Sequence, residues 1–501
     1  MRFFSLIFMS LSLAVASQIP TLDFELIKKE THKGPTLLLI GGIQGDEPGG
    51  FNTTSIFLRH YKISNGNVWV VPVLNKHSML LNHRGVYDDM NRKFAALSPN
   101  DPEYPLIQRI KSLITDPKVD ALLHLHDGSG FYRPTYVSAN MNPNRWGACN
   151  IIDQENLPDS KFPNLGEIAT NTIGYINARL IKPEHQYFKK NTQTSKGDVE
   201  MEKALTFFAI RNNKSAFANE ASKDLSLEER VYYHLLALEG LMVQLGIEFE
   251  RDFTLTPKKL YYLINDTSMT ATLERSITLP LYGLREELSY FPLPKKDAFL
   301  MRVDSASHIV GLYPREDKIA LKYGNKLMTK LKPQYFDFDY SIKQVRLKID
   351  GKEQEVPMGS IINVKKSFEI LSSSDYRVNV IGFVAYKNTP RNRQSTPTAP
   401  KASLTSDAKL DSTPAPNATT ESTSAQSTST ESATTPIATQ TPSAKSTTPP
   451  AKSAKLIDES DYTITLKDCQ ERFSIDKKGK IYRAEFYKGE QFAGMVLFRF
   501  R

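Results

Sequence analysis

Thr36-Leu37-Leu38-Leu39-Ile40-Gly41-Gly42-Ile43-Gln44-Gly45-Asp46-Glu47-Pro48-Gly49-Gly50 is the stretch whose reading decides the fold. Thr36–Ile40 reads as a buried strand, the glycines as a tight turn, and Phe51–His60 as a helix. A strand, a glycine-rich turn and a helix open an α/β unit. Gln44 and Glu47 then stand at i and i+3 beyond the carboxyl end of the strand, where open α/β sheets place their sites. A phosphate loop is excluded, because no Gly-Lys-Ser/Thr follows and Asp46 and Glu47 would repel an anion. Taken alone, Gln44 and Glu47 read as turn polars capping the next helix.

Outward from this turn the alternation continues. Val68–Val73 and Ala121–Leu125 read as further buried strands, Pro105–Ile114 as a helix, and Ala204–Ile210 as a strand-like run. The last helix is marked at both ends: Ser226 and Glu229 have capping-box spacing, Leu227–Leu245 carries the apolar face, and Gly246 is the stop. Beyond Ile247 the texture turns to short strand-like runs, such as Lys259–Ile264 and the alternating Val345, Leu347 and Ile349 before Gly351. These are read as β-rich accessory domains divided near Phe336. From 388 to 453 the sequence is dominated by Ser, Thr, Pro and Ala, too little apolar surface to offset the entropy of ordering, so this tract is expected to be disordered. Strand-like sequence resumes with Ile481-Tyr482-Arg483-Ala484-Glu485-Phe486 and with 495–501, so the tract is read as interrupting a β domain; a linker to a separate small module is the plainer alternative.

The whole chain sets the compartment. At 501 residues it is too long for one ordinary core. Met1-Arg2, the apolar run Phe3 to Val15, and Ala14-Val15-Ala16 before Ser17 have the layout of a cleaved secretory signal. The run is too short to span a membrane, which takes about 20 apolar residues. The mature chain is expected to begin near Ser17 without an integral membrane segment. Two cysteines, Cys149 and Cys469, rule out a disulfide framework or a Cys-rich metal site, and whether they pair is left open. The net charge of +9 is scattered among acids with no basic arm, so no nucleic-acid partner is expected and an anionic polymer such as the cell wall suits it better.

Two more clusters complete the pattern: Asn82-His83-Arg84-Gly85-Val86-Tyr87-Asp88-Asp89-Met90-Asn91-Arg92-Lys93-Phe94, and His124-Leu125-His126-Asp127-Gly128. A Gly-rich turn with X-x-x-Glu, an Arg, an Asp-apolar-Asn-Arg-x-Phe run and a strand ending in His, in this order, resembles the M14 zinc carboxypeptidases and their amidase relatives, the succinylglutamate desuccinylase and aspartoacylase group. Gln44-x-x-Glu47, the 124–128 run and Lys-Ile-Tyr-Arg-Ala-Glu-Phe-Tyr at 480–487 look, more narrowly, like the periplasmic DL-carboxypeptidases that determine helical cell shape in Helicobacter and Campylobacter. The resemblance implies a carboxypeptidase-like mixed sheet with flanking helices (17–247), followed by two smaller β-rich domains (248–335 and 336–501). The last is expected to be an Ig-like sandwich interrupted by the disordered insertion 388–453.

The resemblance implies one Zn²⁺ held by Gln44, Glu47 and His126, with glutamine standing where the wider family has histidine. A carboxamide is as neutral as an imidazole, so the charge of the ligand set is kept. Asp89 would accept from the Gln44 amide and turn its carbonyl oxygen to the metal. Glu220 is implied as the general base, Arg84 as the oxyanion partner, Asn91 and Arg92 as the grip on a terminal carboxylate, and His124, Trp146 and Thr206 as pocket lining. His124 and His126 are expected on opposite surfaces of the sheet. His126 is preferred as ligand because it lies nearer the strand's carboxyl end. Alone, Arg84 and Arg92 are surface charges paired to Asp88 and Asp89, Trp146 is core, and His83, His185 and the remaining histidines are surface or packing residues. The implied activity is release of meso-diaminopimelate from the peptidoglycan stem tripeptide, with muropeptide as substrate and cell-shape proteins as further partners. The rivals are an N-acyl amino-acid amidohydrolase and a catalytically dead wall-binding protein; retention of Glu220 and both arginines argues against the second.

Overall fold

The structure, a computed structural model, describes residues 23–386, 390–392 and 457–501. The expected signal sequence, its cleavage at Ser17 and all but the first residues at the edge of the Ser/Thr/Pro/Ala tract lie outside them. Seven strands form the main sheet in the order Ile27–Glu30, Asn67–Val71, Thr36–Ile40, Ala121–Gly128, Ser215–Ser222, Cys149–Ile152, Phe188–Asn191. Thr36–Ile40, Ala121–Gly128 and Ser215–Ser222 run parallel and adjacent, so their carboxyl ends meet along one edge. The sheet is mixed, because Ile27–Glu30 runs antiparallel to Asn67–Val71 and Cys149–Ile152 antiparallel to Ser215–Ser222. Thr36–Ile40 and Ala121–Gly128 are buried at every position, the near-continuous apolar pattern of strands covered on both faces.

Helices Pro48–His60, Leu165–Asn177 and Leu227–Leu245 pack together over one face. The first can start against the sheet only because of its glycines: a Cβ on Gly50 would lie 2.8 Å from the Leu125 carbonyl oxygen, and one on Gly49 would lie 2.2 Å from the Asp127 carboxylate. The last has the expected capping box, both bonds present, and Gly246 closes it at φ +70°.

Two strand readings are corrected. Ala204–Ile210 falls in a helix, Leu205–Arg211, and Lys259–Ile264 in another, Pro257–Ile264. Short apolar runs do not reveal their period. The decisive signals were Pro257 at the first helical turn and the Thr256 hydroxyl accepting from the Lys259 N–H, with Leu260 and Ile264 buried four residues apart. Phe253, Leu260 and Ile264 join the core of the α/β unit.

Next, a three-stranded sheet (Ile277–Pro280, Thr270–Leu273, Val303–Asp304) and a four-stranded one (Glu287–Pro294, Lys326–Phe336, Lys318–Tyr323, Val310–Arg315) enclose a second core around Leu273, Phe291 and Leu321. Two further four-stranded sheets form a sandwich. Its core stacks Phe368 on Phe498 with centroids 3.7 Å apart. Ile481–Lys488 pairs with Arg377–Val380, and Gln491–Phe500 with Ile361–Val364, so strands from both sides of the tract build one sandwich. Cys149 and Cys469 are both unpaired. Among the described residues no helix is long and apolar enough to cross a membrane.

Glu459, just past the tract, accepts from the Val380 N–H at 2.6 Å, and burial pushes its pKa up to about 7. The native state therefore keeps a proton that an unfolded glutamate releases near its usual value of about 4.3. Its contribution to stability is present at acid pH and lost as pH rises through that interval. Glu459→Gln is expected to flatten this decline, read as a denaturation midpoint that gains on the parent between pH 5 and 7; parallel curves would discount Glu459.

Candidate active site

Period two in the central strand fixes the first part of the site. His124 and His126 are two residues apart, so they share a face of the sheet, and the expectation that they point to opposite surfaces was wrong. Their rings touch, with His124 Nδ1 2.6 Å from His126 Nε2. The neighbouring strand sets Glu220 level with His126 and the small Ala218 level with His124. Asp127, the next residue and so out of phase with both histidines, turns to the helix layer.

The glycine-rich turn delivers the second part. His126 Nδ1 lies 2.7 Å from Gln44 Oε1 and 3.0 Å from Glu47 Oε2. Gln44 donates its amide N–H to Asp89 Oδ1 at 2.8 Å, which leaves its carbonyl oxygen turned to His126. Glu47 makes no capping bond to the helix that begins after it, contrary to the plain turn reading. Arg84 reaches Glu47 at 3.2 Å and Asp89 at 2.9 Å; of the surface pairings read for it, the one with Asp89 is present.

All ten residues named from the sequence line one cleft: Gln44, Glu47, Arg84, Asn91, Arg92, His124, His126, Trp146, Thr206 and Glu220. The cleft holds a cavity of ≈ 260 Å³ that opens to solvent. Asn91 accepts from the Leu205 N–H at 3.0 Å and so ties the helix carrying Thr206 to the site. Thr206 Oγ1 lies 2.6 Å from His124 Nε2. His124 is thus backed by Thr206 and itself backs His126. Trp146 lies under Lys190, whose ammonium is 3.7 Å from the ring centroid. His185, buried against the Tyr233 hydroxyl at 2.9 Å, is a packing residue.

The electrostatics favour a cation at this spot. Burial works against a charged His126, yet Glu47, Glu220 and Asp89 outweigh it and raise its pKa. Burial pushes Glu220 well above the usual carboxylate range; Glu47 and Asp127 add to this, and His126 and Arg84 oppose it. Gly128 makes room for that carboxylate, since a Cβ there would lie 2.8 Å from Glu220 Oε2 and 2.5 Å from the Trp146 backbone. One carbonyl oxygen, one carboxylate and one imidazole nitrogen within hydrogen-bond distance of each other form a donor set that suits a divalent ion of the zinc type.

Residues the sequence reading did not assign also shape the cleft. Lys223 pairs with Asp46 at 3.1 Å and approaches Glu47 at 3.6 Å. Asp127, with no exposed side-chain surface, accepts from Gly49 N at 2.9 Å and Arg230 at 3.0 Å and meets His234 at 3.1 Å. Its own N–H donates to Glu47 Oε2 at 3.2 Å, so it locks the glycine-rich turn to the strand end. Nothing local flags His234, one histidine within an ordinary amphipathic helix. Asp127→Ala would leave Arg230 and His234 without their buried partner and is expected to cost about 3–5 kcal/mol. Denaturant titration checks this, and a loss of about 1 kcal/mol or less, typical of an exposed pair, would rule out the anchoring role.

The chain belongs to the family of carboxypeptidases controlling helical cell shape: the catalytic model of that family matches residues 3–265. Its beta-barrel domain model matches 266–337, and the model of the C-terminal domain of metallo-carboxypeptidase matches 338–413 and 450–501. The cell shape determinant protein Csd4 from Helicobacter pylori is similar throughout, with 47% identity over 96% of this chain and 100% of that one and a TM-score of 0.79. Its tripeptide-bound form is 46% identical over 96% and 100%, TM-score 0.79. Its mDAP-bound form, described as that of a D,L-carboxypeptidase, is 47% identical over 95% and 100%, TM-score 0.79. No curated protein matches the chain.

Proposed function

We propose that the chain is a periplasmic, zinc-dependent DL-carboxypeptidase that trims the peptidoglycan stem tripeptide L-Ala-γ-D-Glu-meso-diaminopimelate to the dipeptide, helping to set cell shape. The observation that carries this reading is the convergence of Gln44 Oε1, Glu47 Oε2 and His126 Nδ1 with Glu220 level with His126 on the next strand. The Helicobacter pylori relative crystallised with a tripeptide and with mDAP supports the substrate class. Residues 1–16 are a removed signal, the catalytic domain runs from 17 to about 265, because Phe253, Leu260 and Ile264 pack in its core, and the two accessory domains follow it.

Gln44, Glu47 and His126 would hold the metal, which when bound would acidify a water and polarise the scissile carbonyl. With Nδ1 turned to Gln44 and Glu47, His126 would donate from Nε2 to His124 Nδ1, and His124 from Nε2 to Thr206, a relay that would fix tautomer and ring angle. Asp89 orients Gln44 in the same way. Glu220 takes a proton from the attacking water, whose oxygen bonds to the γ-D-Glu carbonyl carbon. The C–N bond then breaks as Glu220 returns the proton to the leaving amine of diaminopimelate. Its raised pKa suits a group that must both accept and give. Arg84 faces the charge developing on the carbonyl oxygen, and Asn91 and Arg92 hold the terminal carboxylate.

The test is incubation of the zinc-loaded full chain with muramyl tripeptide and mass analysis of the products. Dipeptide and free diaminopimelate are expected. Intact tripeptide alongside cleaved N-acyl amino acids would transfer the assignment to the amidohydrolases.

A further inference from the structure

The motif Ile481-Tyr482-Arg483-Ala484-Glu485-Phe486-Tyr487 has no part in the hydrolysis, yet it buries two charges. Tyr482, Ala484 and Phe486 enter the sandwich core, while Ile481 and Tyr487 face the second core. By period two, Arg483 and Glu485 share the outward face with Tyr487. Both are 4% exposed and form an ion pair at 2.8 Å, and the Tyr487 hydroxyl donates to Glu485 at 2.6 Å. The adjacent strand sets Arg377 opposite Tyr487 and Asn379 opposite Glu485. This face forms one wall of a cleft of ≈ 720 Å³ between the middle β unit and the sandwich.

The cleft is built for an anion beside a flat surface. Arg285, Arg377, Arg472 and Arg483 line it against only Glu287 and Glu485. Glu287 is already held by Lys318 at 2.7 Å, and Glu485 by Arg483 and Tyr487. Arg377 lies 4.1 Å over the Tyr487 ring, and its Nε is buried without a hydrogen-bond partner. A buried guanidinium donor left unpaired is costly and calls for an acceptor.

On the opposite wall the backbone is strained toward the opening. The strand Glu287–Pro294 has a register shift between Leu288 and Phe291, and Tyr290 within it sits at φ +52° with 73% of its surface exposed. Bulges re-aim side chains, and an aromatic residue at positive φ persists only where its surroundings hold it. Here Arg483 holds it, donating to the Ser289 and Tyr290 carbonyls at 3.2 and 3.0 Å. The exposed Phe473 ring lines the cleft as well.

We propose that this cleft is a second, non-catalytic binding site for a carboxylate-bearing segment of the wall polymer, with the carboxylate on Arg377 and a sugar or peptide plane against Tyr290. The identity of the ligand rests on the peptidoglycan reading above; the carboxylate has two sources, the stem peptide and the lactyl group of the glycan. Bound there, the polymer would keep the enzyme on the sacculus between cleavages.

The test uses the full chain with Glu220→Gln, so that the wall is not consumed, and measures retention on purified sacculi at low salt. Arg377→Gln keeps the stem over Tyr487 and removes the charge; Tyr290→Gly removes the ring and relieves the positive φ. Each is expected to weaken retention at least fivefold, with melting temperature unchanged and, when Glu220 is present, kcat/KM on soluble muramyl tripeptide unchanged. Competition by soluble muramyl tripeptide identifies the stem peptide as source, and competition by peptide-free glycan strands the lactyl group. Undiminished retention of both folded variants, or retention abolished only by an acidic protein competitor and by neither wall fragment, overturns the proposal. If retention depends on Arg377 while muramyl tripeptide is not hydrolysed, the cleft stands and the substrate reading falls.

Discussion

Glu220→Gln is expected to lower kcat for tripeptide cleavage by about 10²–10⁴-fold, the range of general acid–base catalysis, with KM little changed. Glutamine keeps the shape that Gly128 and Trp146 accommodate but can neither take the water's proton nor pass it on. Stability points the opposite way. Burial and the like charges of Glu47 and Asp127 disfavour the ionised carboxyl, so a neutral amide in its place is expected to melt at the same temperature or higher. A loss of activity accompanied by a clear fall in melting temperature would mean that Glu220 is structural. Unchanged kcat would remove it from the mechanism.

Chelation is expected to abolish turnover and to lower the melting temperature of the catalytic unit, both reversed by added zinc. The physical reason is the concentration of negative charge: Glu47, Asp89 and Glu220 all act on the spot where His126 Nδ1 meets Gln44 and Glu47. A ligand present at 100 to 1,000 times its dissociation constant stabilises a fold by about 2.7–4.1 kcal/mol. Gln44 contributes no charge and depends on Asp89 for its orientation, so Asp89→Ala is expected to reduce zinc content at a given free zinc concentration by about 10–100-fold in affinity. Metal content, measured by mass spectrometry alongside activity, checks both; full activity in metal-free protein would overturn the metal assignment.

Much of this site was legible because its parts sit at the ends of strands whose apolar runs announce them. Thr36–Ile40 leads directly to Gln44 and Glu47, and Ala121–Leu125 directly to His126. Glu220 had no comparable signal: the strand-like run read ahead of it, Ala204–Ile210, overlaps a helix, and its strand, Ser215–Ser222, is rich in alanine and polar residues. The family resemblance, and not periodicity, brought it into the set. The face shared by His124 and His126 was legible from period two and was misread.

The amino-acid order alone determined the local grammar: a strand, a glycine turn and a helix at 36–60, a capped helix at 227–245, and a polar tract at 388–453. These follow from propensity, capping and periodicity, which act over a few residues. Tertiary structure alone decided that Asp127 meets His234 and Arg230, that Lys223 stands beside Glu47, and that Arg377 and Arg483 share a cleft with Tyr290. Such partners lie tens to hundreds of residues apart in the chain. Their meeting is set by the order of strands and the packing of cores, which no short window of sequence encodes.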